Sequence, residues 1–84
     1  MSDASVFEPV STLADLETLD AEEIYQGYRD HERGDPEPGL NRGRAYWHGW
    51  MNAARDRGER PPTSESATLA HEYLEAERRR RMAS

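Results

Sequence analysis

Apolar residues in this chain are scattered at helical spacing and never form a long run. The densest group lies in Arg44-Ala-Tyr-Trp-His-Gly-Trp-Met-Asn-Ala-Ala-Arg-Asp56. There Gly43, Tyr46 or Trp47, Trp50, and Ala53 or Ala54 recur at three- and four-residue steps, the period of one helix face. Gly49 sits mid-segment, where a glycine costs about 1 kcal/mol relative to alanine. Two rings flanking a residue without a side chain predict a second backbone close by. Upstream, Tyr25-Gln-Gly27-Tyr28 has the same form as Trp47-His-Gly49-Trp50, and Asp30 and Arg33 match Asn52 and Arg55. Two helices crossing at Gly27 and Gly49 are expected. Ile24, Gly27, Tyr28, Tyr46, Gly49, Trp50 and Ala53 form the core, with Trp50 its most buried ring and Trp47 partly buried.

Local signals bound these helices. Asp20 and Glu23 suit an N-cap and N3 pair, with Leu19 as a staple to Ile24. Gly34 stops the first helix, and Pro36 and Pro38 prevent its continuation. The second starts near Leu40 or Asn41 and ends by Gly58, and Pro61-Pro62 is a hard break. Thr63 or Ser64 then caps a third helix carrying Leu69, Ala70, Tyr73 and Leu74. The expected fold is all-α and without a sheet: two crossed helices joined by a Pro/Gly loop, plus a C-terminal helix. Their spans are near 20–34, 41–58 and 63–79. Residues 1–18 form an acidic, partly disordered arm, with disorder expected over 1–9. Leu13, Leu16 and Leu19 make a thin stripe after a cap at Ser11 or Thr12. That stripe is compatible with packing on the body, with binding a partner, or with staying loose.

Charge divides the chain the same way. Residues 1–23 hold seven acids and no base, residues 24–60 seven Arg and six acids, and residues 61–84 four Arg and four Glu. The net charge of −6 argues against indiscriminate nucleic-acid binding but allows a local Arg patch. All eleven basic residues are Arg, the side chain suited to bidentate contacts and ring stacking. The run Arg78–Arg81 favours its helix dipole, or contacts a polyanion. With 84 residues and a mean hydropathy of −1.09, a single small core is the limit, and a homodimer is one remedy. There is no cysteine, no apolar run of membrane-spanning length and no secretory pattern at the N-terminus, so a cytoplasmic location is expected.

The pair Gly27-Tyr28 followed after five residues by Gly34, the loop prolines, and Tyr46-x-x-Gly49-Trp50-x-x-Ala53-x-x-Asp56 resemble the ribosome modulation factor family. The resemblance covers residues 24–58, so residues 19–60 read as a helix pair of that type and 61–84 as an added helix with an Arg-rich tail. It implies a bacterial or phage regulator that binds ribosomal RNA or the ribosome and lowers translation. The chain departs from that strongly basic family in its acidity, its arm and its third helix.

Binding is a better fit than catalysis. Arg29, Arg33, Arg42, Arg44, Arg55 and Arg57 bracket the helix pair, with Arg42 and Arg44 placed in the first turn of the second helix, where free N–H groups favour anions. Tyr25, Tyr46 and Trp47 offer rings for stacking on unpaired bases, and Tyr25 and Trp47 join the Arg residues as candidate contacts. The competing reading has Arg paired with nearby acids and the rings in the core. His31, His48 and His71 lie on three helices without metal-ligand spacing, His48 partly exposed and His31 packed at its helix end. No phosphate loop or triad is visible, so neither enzyme activity, a metal nor a cofactor is expected. The alternative function is an acidic module, such as a phage-type inhibitor, that engages a basic, nucleic-acid-handling protein.

Overall fold

The structure, a computed structural model, describes residues 7–39 and 41–83. Among the described residues it has four helices and no strand: α1 (Leu13–Leu16), α2 (Ala21–Glu32), α3 (Arg44–Asp56) and α4 (Ser64–Ala83). None is long and apolar enough to cross a membrane. The disorder expected over residues 1–6, and a helix start at Leu40, lie outside the described residues. Residues 7–9 are placed against the body.

Helices α2 and α3 carry the main packing. Each glycine of the crossing meets the other helix's backbone three residues before that helix's own glycine. A Cβ on Gly49 would collide with the Ile24 carbonyl, its carbon lying 2.7 Å away. A Cβ on Gly27 would collide with the Tyr46 carbonyl and stand 3.0 Å from the Trp50 nitrogen. This near two-fold relation is the physical content of the repeated aromatic-x-Gly-aromatic quartet.

The cap residues are those the sequence marks, but the expected Asp20–Glu23 pairing is replaced by a single bond one residue earlier. Asp20 Oδ1 accepts from the Glu22 N–H at 3.0 Å. Thr12 Oγ1 accepts from the Asp15 N–H, and Thr63 and Ser66 cap α4 reciprocally, each hydroxyl accepting from the other's N–H. Both central helices end in Schellman motifs. Gly34 (φ 94°) donates to His31 O while Asp35 donates to Asp30 O. Gly58 (φ 79°) donates to Arg55 O while Glu59 donates to Ala54 O. The second helix starts at Arg44, later than expected, because Gly43 is the extended N-cap residue and lacks a capping side chain. Arg42 therefore precedes the helix instead of occupying its first turn. Helix α4 runs on to Ala83, four residues beyond its expected end.

The core is wider than one helix face. Every residue from Ala45 to Trp50 is buried, as are Ala53 and Ala54. A helix buried all round needs partners on both sides. One side is α2. The other is the arm, where Val10 is 3% exposed and the Phe7 ring lies 5.7 Å from that of Trp47. Two expectations change as a result. Trp47 is buried, not partly so, and Trp50 (6% exposed) is no more buried than Tyr46 (3%) or Trp47 (5%). Ile24 and Tyr28, placed in the core, are only half-buried. They stand at the rim of the crossing, where the Tyr28 hydroxyl reaches out to donate to Asp56.

Replacing Gly49 by alanine forces the helices apart, since the obstructing atoms are backbone. Overpacking typically costs about 1–3 kcal/mol, a large share of a small domain's stability. A thermal melt of Gly49→Ala followed by circular dichroism is expected to show a clearly lowered midpoint. A midpoint equal to the parent's removes the crossing as the organising contact.

Candidate binding surfaces on the helix pair

Arg44, the first residue of α3, is held by the arm. Its NH1 and NH2 donate to Asp15 Oδ1 (2.9 Å) and Oδ2 (2.6 Å), its Nε to Glu8 O and its NH2 also to Pro9 O. Such a fork-to-fork pair is the strong form of an ion pair. The hydrogen bond from Arg44 holds the Asp15 carboxyl below the usual carboxylate range, and the same bond raises Arg44. The arm thus uses Arg44 and Trp47, two of the expected contact residues, as its own docking points.

His48 lies on the same side of α3 and is 4% exposed, contrary to the partial exposure expected of it. Its Nε2 stands 3.2 Å from Asn52 Nδ2, and Asn52 Oδ1 accepts from Arg55 NH2 at 3.0 Å. An amide NH2 can only donate, so Nε2 carries the lone pair and Nδ1 the proton. Burial, with Arg55 and Arg44 nearby, lowers the imidazole to about 4, Asp15 opposing weakly. Burial also lowers Arg55. Below His48 and Asn52 opens an apolar hollow of about 470 Å³, walled by Leu16 and by Leu69, Tyr73 and Leu74 of α4.

The other candidates lie around α2. Arg29 stands over the Tyr25 ring at 5.4 Å, and Tyr25 is 59% exposed. Gln26, Arg29, Asp30 and Arg33 line one shallow hollow. Asp30 accepts from the Tyr46 hydroxyl, and Arg42 lies 3.8 Å over the Tyr46 ring. Burial, followed by the Asp30 bond, pushes that phenol up to about 12. Tyr46 is therefore no free stacking ring: its edge is in the core and its face belongs to Arg42. Arg57 pairs with Glu32 at 3.3 Å, and Arg60, not among the expected contacts, pairs with Glu37 at 2.6 Å.

At the far end of the crossing, His31 Nε2 meets Glu59 Oε1 at 2.8 Å and its ring stands edge-on to Trp50, 4.8 Å between centroids. Trp50 Nε1 donates to Asp35 O. His31 and His48 belong to separate networks, and His71 is exposed on α4. No group of three metal-ligating side chains is assembled among the described residues.

The six arginines therefore separate. Arg29 and Arg33 line one hollow with Asp30, Arg42 covers the Tyr46 ring that bonds Asp30, Arg44 is held by the arm, Arg55 is half-buried, and Arg57 is paired. The arm contacts gave no local sequence signal, because Asp15 and Arg44 are 29 residues apart. Comparison with family models, with curated proteins and with solved structures returns no match.

Two measurements probe this side of α3. Arg44→Ala is expected to loosen the arm and uncover Trp47, seen as stronger acrylamide quenching of tryptophan fluorescence with unchanged helicity; unchanged quenching contradicts the docking. His48 has a folded value below its unfolded one, so its stabilisation is complete above about 6.5 and is lost as pH falls toward about 4. The full loss is on the order of 3 kcal/mol. His48→Gln should flatten this part of the denaturant-midpoint profile between pH 7 and 4.5 relative to the parent. Parallel profiles for the two proteins would place the proton uptake elsewhere.

Proposed function

We propose that this chain is a small non-enzymatic regulator that binds single-stranded RNA, ribosomal RNA in particular, through the outer face of α2 and the adjoining start of α3. One observation carries the reading. Arg29, Arg33 and Arg42 gather around the Asp30–Tyr46 hydrogen bond, and none of the three forms an ion pair with a carboxylate among the described residues. Planar guanidinium groups suit phosphate, and exposed Tyr25 suits stacking on an unpaired base. The resemblance of residues 24–58 to ribosome modulation factor supports the ribosome as the source of that RNA and lowered translation as the outcome. The net charge of −6 weakens long-range attraction, so contact has to come from this local patch. The arm opposes binding twice over, by its negative charge and by withdrawing Arg44.

A second reading, a module that engages a basic nucleic-acid-handling protein in the manner of a phage-type inhibitor, rests on the acidity and on the open apolar hollow beside α4. Co-purification separates the two, with ribosomal subunits for the first and one defined protein for the second.

Fluorescence anisotropy with labelled single-stranded RNA across a salt series tests the first reading. Each phosphate contact on a single strand contributes about 0.7 to the slope of log affinity against log salt. Arg29→Ala/Arg33→Ala is therefore expected to weaken binding and flatten that slope by about 1.4. If the parent binds no RNA at low salt, or the double variant binds equally well, the reading fails.

A further inference from the structure

An acid stands in the middle of the arginine patch. Asp30 lines a hollow of about 260 Å³ on α2 together with Gln26, Arg29 and Arg33. A site that takes only phosphate has no use for a carboxylate, which repels it. Nor does this acid neutralise its neighbours: among the described residues neither Arg29 nor Arg33 forms an ion pair with it. Its side-chain partner is the Tyr46 hydroxyl, which donates to Oδ2. Tyr46 is fixed in the core at 3% exposure, so the bond holds the half-buried carboxylate in place. A carboxylate has about four lone-pair sites, and the phenol takes one of them.

A fixed carboxylate among unpaired cations selects a ligand that carries negative charge and presents two adjacent N–H donors. Among unpaired nucleobases, guanine does so on its Watson–Crick edge, through N1–H and the N2 amino group. Adenine and cytosine place a ring-nitrogen lone pair beside their amino group, and uracil flanks its N3–H with two carbonyls. Each of these sets a lone pair against a carboxylate oxygen. Guanine O6, next to N1–H, is an acceptor, and Gln26, one turn before Asp30, carries an amide that can donate to it. Arg29, over the exposed Tyr25 ring at 5.4 Å, offers a plane beside the hollow on which a splayed base stacks. An arginine side chain of a protein partner also presents two parallel N–H groups, but Arg29, Arg33 and Arg42 repel it.

We propose that this hollow reads one unpaired guanine in single-stranded RNA. Asp30 accepts from N1–H and the N2 amino group, Gln26 donates to O6, and Arg29 and Arg33 hold the neighbouring phosphates. The proposal rests on the RNA reading above and adds base choice to it. Tyr46 is a positioning residue, since it holds Asp30 and does not meet the base. The carboxylate weakens every strand by its charge and strengthens only those with guanine, which makes it a device for discrimination.

Fluorescence anisotropy of the full chain with labelled uridine-rich strands tests this, the strands differing only in guanine, adenine or hypoxanthine at every third position. A matched pair of hydrogen bonds to a base edge discriminates by about fivefold or more. The guanine strand is expected to bind the parent tighter than the adenine strand by that factor. Hypoxanthine, which lacks the N2 amino group, should fall between them. Asp30→Asn keeps an acceptor for the Tyr46 hydroxyl and removes the charge. All strands should then gain affinity, while the lead of guanine over adenine falls below about twofold. Gln26 is exposed, and Gln26→Ala should narrow the lead without moving the thermal midpoint. A role of Asp30 confined to folding would shift all three strands alike. Equal binding of guanine and adenine strands by the parent overturns the proposal and leaves the phosphate contacts of Arg29 and Arg33 standing. So does a lead that both variants leave intact. A parent that binds none of the strands at low salt overturns base choice and RNA binding together. An arginine-rich peptide that binds the parent in place of RNA, and is lost in Asp30→Asn, would make Asp30 a protein contact and overturn the proposal as well.

Discussion

Two backbones in contact at Gly27 and Gly49 set the geometry of everything else. No side chain fits between the helices at those points, as the positions of Ile24 and Tyr46 show. The large rings Tyr46 and Trp50 stand to the sides of the contact. Their polar ends then fix what surrounds the pair. Tyr46 holds Asp30, Trp50 holds the Asp35 carbonyl at the head of the interhelix loop, and His31 meets Glu59 just past the end of α3. The contact brings both Schellman ends to one side. The loop proline Pro38 is buried as well.

This arrangement leaves α3 with a second apolar side that α2 cannot reach. The arm covers it with Phe7 and Val10 and closes with the Asp15–Arg44 fork. Burial without full satisfaction is the cost. Trp47 Nε1 and His31 Nδ1 have no hydrogen-bond partner among the described residues, and such groups typically cost about 1–3 kcal/mol each. His48 stays neutral in the same layer, between two arginines. Acid therefore acts on the arm side of the molecule first, through His48 and then through Asp15.

The helix pair was legible in the sequence because its signals are local. Gly27 and Gly49 share a quartet pattern, Asp20 and Thr63 are caps beside helical runs, and Gly34 and Gly58 precede breaks. The surroundings of α3 were not legible. Whether Trp47 stacks on a ligand or on Phe7 depends on a contact across 40 residues that no periodicity encodes. The acidic arm read as partly disordered, with packing on the body only one of three fates left open for it, whereas Phe7, Val10 and the Asp15 carboxylate dock it on α3. For the arginines, residue type indicated a capacity for anions but not which side chains were already engaged. Arg44 and Arg57 are paired, Arg55 is half-buried and Arg42 lies over the Tyr46 ring, while Arg29 and Arg33 line a hollow on α2. The length of α4 was foreseen in outline, but its lack of burial is a property of the fold.

The central claim is the direct backbone contact between α2 and α3, and nuclear Overhauser spectroscopy on labelled protein tests it most directly. The Gly27 Hα protons point to where a Cβ would stand 3.0 Å from the Trp50 nitrogen, and those of Gly49 to the Ile24 Cα at the same distance. The account predicts strong cross-peaks from Gly27 Hα to the Trp50 amide proton and from Gly49 Hα to Ile24 Hα. Absence of both, in a spectrum that shows the sequential peaks of α2 and α3, would contradict it.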